Sequence, residues 1–281
     1  MLGTAHLTSP GAGRLHEAAA GRRWLSFALN AAIMFGLYEI YDLGRGLISR
    51  DGTIAVEHAD AVWSWEVAHG VFVEPAWQQF WLTRAHILGR LQLTPARVTD
   101  FLNTGYLYVH FLGTIGFLIW LFLYRRHLFP FVRNIFFVTT TIALAVYILY
   151  PLAPPRLTPN LLYHHHHYVF IDTMQRVVNA KYQRTEIGYN PYAAMPSLHM
   201  AWALIIGCTL ACTLRFWLLR IVCAGYPVFM LTVIVVSGNH YFADCLGSVG
   251  VVGMAIVLVM LWMRWRDQLP WLRARLFRAA L

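Results

Sequence analysis

The chain has 281 residues, of which 58% are hydrophobic and only 12% charged. Soluble domains carry about 25% charged residues, so half that share excludes an ordinary soluble fold and points to an integral membrane protein of one domain. The net charge of +9 is almost wholly arginine, since Lys181 is the only lysine; these cations sit at the ends of apolar stretches, where they anchor to anionic lipid rather than to nucleic acid.

Residues 1–23 are polar and loose, with Gly3, Pro10, Gly11, Gly13 and Arg14, and show no cleavable signal pattern. They read as a cytoplasmic tail. Six spans follow, each near the roughly 20 residues a bilayer requires: Trp24–Gly44, Phe101–Leu123, Asn134–Leu152, Ser197–Leu214, Ile221–Val236 and Asp244–Met263. The first carries Glu39 and Asp42 near its end, and the fifth is short for a crossing. Between the first two, over about residues 45–100, Trp63, Trp65, Trp77 and Trp81 alternate with Glu57, Asp60, Glu66, Glu74 and Arg84. Aromatic rings beside charges favour the headgroup level, so this segment reads as interfacial helices ending near Thr94-Pro95; a soluble mini-domain is the alternative. The expected fold is all-α: a polytopic membrane protein, one six-helix bundle over residues 24–265, followed by a basic cytoplasmic tail at 266–281. Cys208, Cys212, Cys223 and Cys245 lie in or beside spans without a CxxC pair, and read as small hydrophobes.

The larger share of the 22 Lys and Arg falls in the N-terminus, the Arg125–Arg133 loop, the Arg215–Arg220 loop and the C-terminal tail. The positive-inside rule then places both termini in the cytoplasm. On that topology Arg156, His199, His240 and Asp244 all lie at outward span ends.

Those four residues fall in the fragments Pro154-Pro155-Arg156, Met195-Pro196-Ser197-Leu198-His199 and Asn239-His240-Tyr241-Phe242-Ala243-Asp244. Taken singly, each has a plain reading: a histidine at a membrane surface, Asp244 as a helix cap, Arg156 as a topology signal. Together they suit phosphoryl transfer, which needs the phosphate oxygens neutralised, a nucleophile, and a proton for the leaving group. Arg156 offers a planar fork that matches phosphate oxygens. His240 and Asp244, at i and i+4, share a helix face, so a carboxylate can fix the ring tautomer and leave the other nitrogen to attack. His199 sits in a first helical turn, where it can protonate an alkoxide, and Ser197 lies among amides that favour an anion.

The stretches PPRL at 154–157, AMPSLH at 194–199 and GNHYFAD at 238–244 resemble the three signatures of the type 2 phosphatidic acid phosphatase superfamily, over roughly Asn103 to Gly250. The resemblance implies His240 as the nucleophile of a phosphohistidine, Asp244 as its partner, His199 as acid and base, and Arg156 as a phosphate ligand, with no metal and no cofactor. The sequence departs from the family pattern twice. Leu149 stands where a lysine is usual, and Val233 and Ile234 stand where Ser-Arg is usual. It is in this respect similar to the inositolphosphotransferase (inositol phosphorylceramide synthase-like) branch, and Asn103, Tyr106 and His110 resemble that branch's N-x-x-Y-x-x-x-H element. They are candidates for a substrate pocket of neutral donors; an inter-helix hydrogen-bond seam is the alternative.

The expectation is thus a membrane enzyme acting on a lipid phosphate or phosphodiester at the outer leaflet, with an alcohol or water as acceptor. The alternatives are a lipid phosphate phosphatase of the phosphatidic acid or polyprenyl phosphate type and, from other classes, an inactive scaffold or a transporter. Near-exclusive arginine usage points to a GC-rich bacterial genome and so to the bacterial inner (plasma) membrane. His164 to His167 read as a wet loop with affinity for soft metals in vitro, and Asp172, Glu186, Tyr189 and Tyr192 share that loop as headgroup-pocket candidates.

Overall fold

The structure, a computed structural model, describes residues 10–46, 51–83, 94–158, 170–173 and 191–268. The helices are α1 (Pro10–Gly46), α2 (Gly52–Ala68), α3 (Glu74–Thr83), α4 (Pro95–Thr104), α5 (His110–Tyr124), α6 (Phe129–Leu149), α7 (Leu198–Thr213), α8 (Trp217–Val236) and α9 (Phe242–Gln268). A π turn at Gly105–Val109 joins α4 to α5, and a 3-10 turn at Pro155–Leu157 follows α6. Among the described residues the sole β feature is an isolated bridge between Leu152 and Ala193.

Among the described residues five helices are long and apolar enough to cross a membrane: Gly21–Gly46, Ala96–Tyr124, Phe129–Leu149, Trp217–Val236 and Phe242–Asp267. The remaining apolar helix is α7, with 16 residues. At 1.5 Å per residue it reaches about 24 Å, short of a hydrocarbon core of about 30 Å. Helix α8 begins at Trp217, one turn before the expected Ile221, and that added turn brings the fifth segment to 20 residues, which leaves α7 as the short member.

Two units divide the chain. One comprises Met1–Ile40 with Leu261–Leu281, and in it Trp24 meets Phe27 edge to face at 6.0 Å between ring centroids. The other, Tyr41–Met260, holds the elements that build the site. Its closest helix pair is α7 against α8. A side chain at Gly207 would meet the Cys223 carbonyl at 2.7 Å and Pro227 Cδ at 2.8 Å, so only glycine permits this approach. Val233, Ile234, Val235 and Val236 at the end of α8 are fully buried against Met200, Ala203, Leu102 and Leu82.

The segment expected at headgroup level forms α2 and α3, and Thr94 caps α4 with Pro95 as its first residue, where the sequence places that segment's end. One expectation fails here. Glu66 and Glu74, read as surface charges beside tryptophans, are fully buried. Ala55, Ala59, Val62 and Glu66 form the buried face of α2, packing on Leu152, Ala153, Ala194, Tyr241 and Ala243. Helix α2 thus lies against the polar span ends themselves.

Candidate active site

After α6 the chain leaves the helix at Tyr150 and runs through buried Pro151 to Pro155. Prolines cannot donate to a ladder, so this stretch is held from outside. The Leu152 amide donates to the Tyr192 carbonyl at 2.7 Å and the Ala153 amide to the Ala55 carbonyl at 3.0 Å, while His58 Nδ1 meets the Pro151 carbonyl at 2.7 Å. The 3-10 turn then presents Arg156. Its amide donates to the Gly238 carbonyl at 3.0 Å, its Nε to Asn239 Oδ1 at 2.8 Å, and its Nη1 reaches Asp172 Oδ2 at 3.5 Å. The Arg156 side chain is 5% exposed. A guanidinium held at Nε and at one Nη keeps its remaining donors in a fixed direction.

Ser197 caps α7 by accepting the Met200 amide at 3.3 Å. Its own amide donates to the Asp244 carbonyl at 3.3 Å, and Ser248 Oγ spans the Ser197 and Asp244 carbonyls at 2.8 Å each. The second and third signature stretches are therefore tied backbone to backbone. Tyr147 Oη adds a bond to the Pro196 carbonyl at 2.6 Å. His199, in the first turn of α7, stacks on Tyr106 at 3.9 Å and lies 5.0 Å from His110 between ring centroids.

The third stretch leaves α8 through Gly238, whose φ of +71° is the left-handed region that glycine alone enters freely. His240 Nδ1 meets Asp244 Oδ2 at 3.2 Å, and the same oxygen accepts the Tyr241 amide at 2.9 Å. With Asp244 ionised the carboxylate can only accept, and the contact then calls for the proton on Nδ1 and leaves the Nε2 lone pair free. Asp244 is fully buried and His240 is 5% exposed.

The pocket candidates on the second span divide. The π turn at Gly105–Val109 swells the helix between Asn103 and His110, and such turns re-aim the residues they carry. Tyr106 faces His199, and His110 Nδ1 pairs with Tyr226 Oη at 2.7 Å. Asn103 is committed elsewhere: its Nδ2 donates to the Thr173 carbonyl at 2.8 Å, and Thr173 Oγ1 lies 3.2 Å from Asn103 Oδ1 and 3.1 Å from the Ser237 carbonyl. Asn103 thus braces the loop before His240. Beyond Tyr226 an apolar groove of 730 Å³ opens among α5, α7 and α8, lined by Gly113, Gly116, Trp120, Leu210 and Phe229.

At the positions where the family pattern has cations, Leu149 is 80% exposed, whereas Val233 and Ile234 are 0% exposed within the core. None of these apolar side chains supplies a charged donor to a phosphate. A basic residue that the sequence did not single out acts on the site electrostatically. Arg45, at the end of α1, lies within electrostatic range of Tyr106, Tyr147 and His199. Also unforeseen were Glu66, Glu74 and Gln78. Glu66 Oε1 accepts the Ala243 amide at 2.7 Å, and Glu74 Oε1 accepts the Phe242 amide at 2.6 Å. Gln78 donates to the Val236 carbonyl at 2.9 Å and the Ile171 carbonyl at 3.1 Å, and accepts the Ile171 amide at 2.8 Å. Burial, and then the neighbouring acid, push Glu66 up to about 10; burial also raises Glu74. A signal existed, because Ala55, Ala59, Val62 and Glu66 recur at helical spacing on one face.

Among the described residues no three His, Cys, Asp or Glu gather as a metal site. His164 to His167, Glu186 and Tyr189 lie outside the described residues. Asp172 holds Arg156, and the Tyr192 carbonyl holds Leu152.

Comparison with known families matches residues 61–258 to the PAP2 superfamily. No curated protein and no solved structure matches the chain. The family match covers well over half the sequence and contains all three signature stretches, so the chain belongs to the PAP2 superfamily.

Proposed function

We propose, from this membership of the PAP2 superfamily, that the chain is a lipid phosphotransferase working through a phosphohistidine on His240. The observation that carries the reading is the His240–Asp244 contact at 3.2 Å, with Arg156 tethered to the adjacent Asn239 at 2.8 Å. His240 Nε2 attacks phosphorus while the ester oxygen leaves with a proton from His199. Asp244 holds the positive imidazole that results. In the second half His199 takes the proton of an acceptor hydroxyl, whose oxygen displaces the Nε2–phosphorus bond. Arg156, with Ser197 at the amino end of α7, holds the phosphate oxygens. No metal or cofactor enters these steps. The 730 Å³ groove beyond Tyr226 suits a hydrocarbon chain, which supports a lipid substrate.

The finer reading is an inositolphosphotransferase-like reaction on a phosphodiester, at the outer leaflet of a bacterial plasma membrane. Exposed Leu149 and core-packed Val233 and Ile234 support it, because a site with fewer cations suits one negative charge better than nearly two. A second reading, a lipid phosphomonoester phosphatase, is favoured by Arg45, which brings a further positive charge toward His199. Equal amounts of phosphatidic acid and a phosphoinositide-type diester, offered together to the purified chain with a lipid alcohol, separate the two. The transferase predicts a new phosphodiester lipid as the main product. Inorganic phosphate as the main product would reject it in favour of the phosphatase.

A further inference from the structure

A helix leaves its first amides without partners, and one capping side chain usually serves one of them. The start of α9 is different. Tyr241, Phe242 and Ala243 donate in turn to Asp244 Oδ2 at 2.9 Å, Glu74 Oε1 at 2.6 Å and Glu66 Oε1 at 2.7 Å. Two of these carboxyls come from α2 and α3, more than 160 residues away in sequence. Both are 0% exposed. Their second oxygens, Glu66 Oε2 and Glu74 Oε2, have no hydrogen-bond partner among the described residues, and acceptance from the consecutive amides of Ala243 and Phe242 sets the two carboxyls side by side.

With both acids ionised, two buried oxygens would repel each other with no proton between them. Burying a charge without a partner is costly, and a hydrogen bond left unmade in the interior costs more than a made one returns. One proton removes both penalties, since the protonated carboxyl donates to its neighbour while each Oε1 still accepts its amide. On the reading of His240 and Asp244 as the reacting pair, we propose that Glu66 and Glu74 are positioning residues: a carboxyl pair that shares one proton, clamps the amino end of α9 and so fixes His240 for attack. The upward displacement of both acids agrees with this. The other titratable groups facing the pair are Asp244 and the Cys245 thiol, both on α9.

The sign of the pH effect follows. An unfolded glutamate ionises above 4.5, whereas the folded pair keeps its proton up to about 10. The folded chain thus binds the extra proton between those limits. Its stability from this source is complete below 4.5 and is lost as pH rises through that window.

The test uses the full chain purified in detergent, with E66Q, E74Q and the double variant E66Q/E74Q. Each single glutamine replaces the shared O–H by an N–H toward the remaining carboxylate and keeps an oxygen for the backbone. Either single change should therefore flatten the fall of melting temperature with rising pH, and lower kcat, summed over all products on mixed micelles of phosphatidic acid, a phosphoinositide and a lipid alcohol, by less than about 10-fold. The double variant sets two amide NH2 groups against each other, or one against a backbone amide. Its loss of melting temperature should exceed the sum of the single losses. Its kcat should fall more than about 100-fold with KM within about 3-fold of the parent. A double variant that cannot fold while both singles do is the same non-additive outcome. Additive melting losses, singles that keep the parental pH slope, or a single that fails to fold would each overturn the pair. The melting arm needs no substrate, so a parent chain that turns over no lipid phosphate overturns the reading of the site instead.

Discussion

Asp244 Oδ2 serves two donors at once, the His240 ring and the Tyr241 amide. In Asp244→Asn the single remaining oxygen is claimed by the backbone amide, and the side-chain NH2 turns toward Nδ1. The ring must then carry its proton on Nε2, the nitrogen needed for attack. Turnover of a lipid phosphate should fall by roughly 10⁴-fold through the wrong tautomer, with the melting temperature in detergent close to the parent's. Near-parental turnover would end the nucleophilic reading of Nε2. His240→Ala should abolish turnover outright, while His199→Ala should matter far less for a p-nitrophenyl ester, whose leaving group needs no proton. Arg156 makes a different kind of prediction. Lysine has no planar fork to hold Asn239 and phosphate together, so Arg156→Lys should lose about 1.5–3 kcal/mol of phosphate binding. That loss should be read as a higher KM.

Between side chain and whole fold, two short backbone devices aim the site. Gly238 turns the chain out of α8 with φ +71°, and a Cβ there would lie 3.3 Å from Arg156 Cβ. Gly238→Ala combines a left-handed backbone with pressure on Arg156. It should cost about 1–2 kcal/mol of stability and raise KM, measured by melting and by steady-state kinetics on the same preparation. An unchanged KM with lowered stability would separate the turn from phosphate binding. The π turn at Gly105–Val109 does the same for the second span, bringing Tyr106 onto His199 while His110 pairs with Tyr226.

On the scale of the whole molecule, the span ends that carry the three signature stretches share one set of braces. Helix α2 supplies the Ala55 carbonyl and His58 to the stretch before Arg156 and Glu66 to the start of α9; α3 supplies Glu74 and Gln78. If the arginine distribution sets topology as proposed, this assembly lies outside the cell. In a background lacking the native cysteines, His69→Cys in the exposed α2–α3 turn should react with an impermeant maleimide on intact cells, and Arg215→Cys only after permeabilisation. The reverse pattern would invert the orientation.

Membrane residence, the all-helical class and the identity of the three signature stretches were legible in the sequence, because each depends on local pattern. Apolar run length sets what can cross a bilayer, and spacings such as His240 to Asp244 act within one turn. The end of the segment between the first two spans, at Thr94-Pro95, was legible for the same reason, since a cap and an N1 proline are local signals. What escaped was long-range. For Glu66 the helical spacing with Ala55, Ala59 and Val62 was a local signal of burial, but nothing local tells which groups Glu66 and Glu74 would meet, or that Asn103 would brace Thr173. Arg45 looked like another cation at a span end until the fold carried it toward His199. A polar group in a low-dielectric interior must find a partner, and which partner it finds depends on elements far apart in the chain meeting in space. The identity of the signature stretches is written in local pattern; what holds them in place arises only when α2 and α3 pack against the ends of α6, α8 and α9.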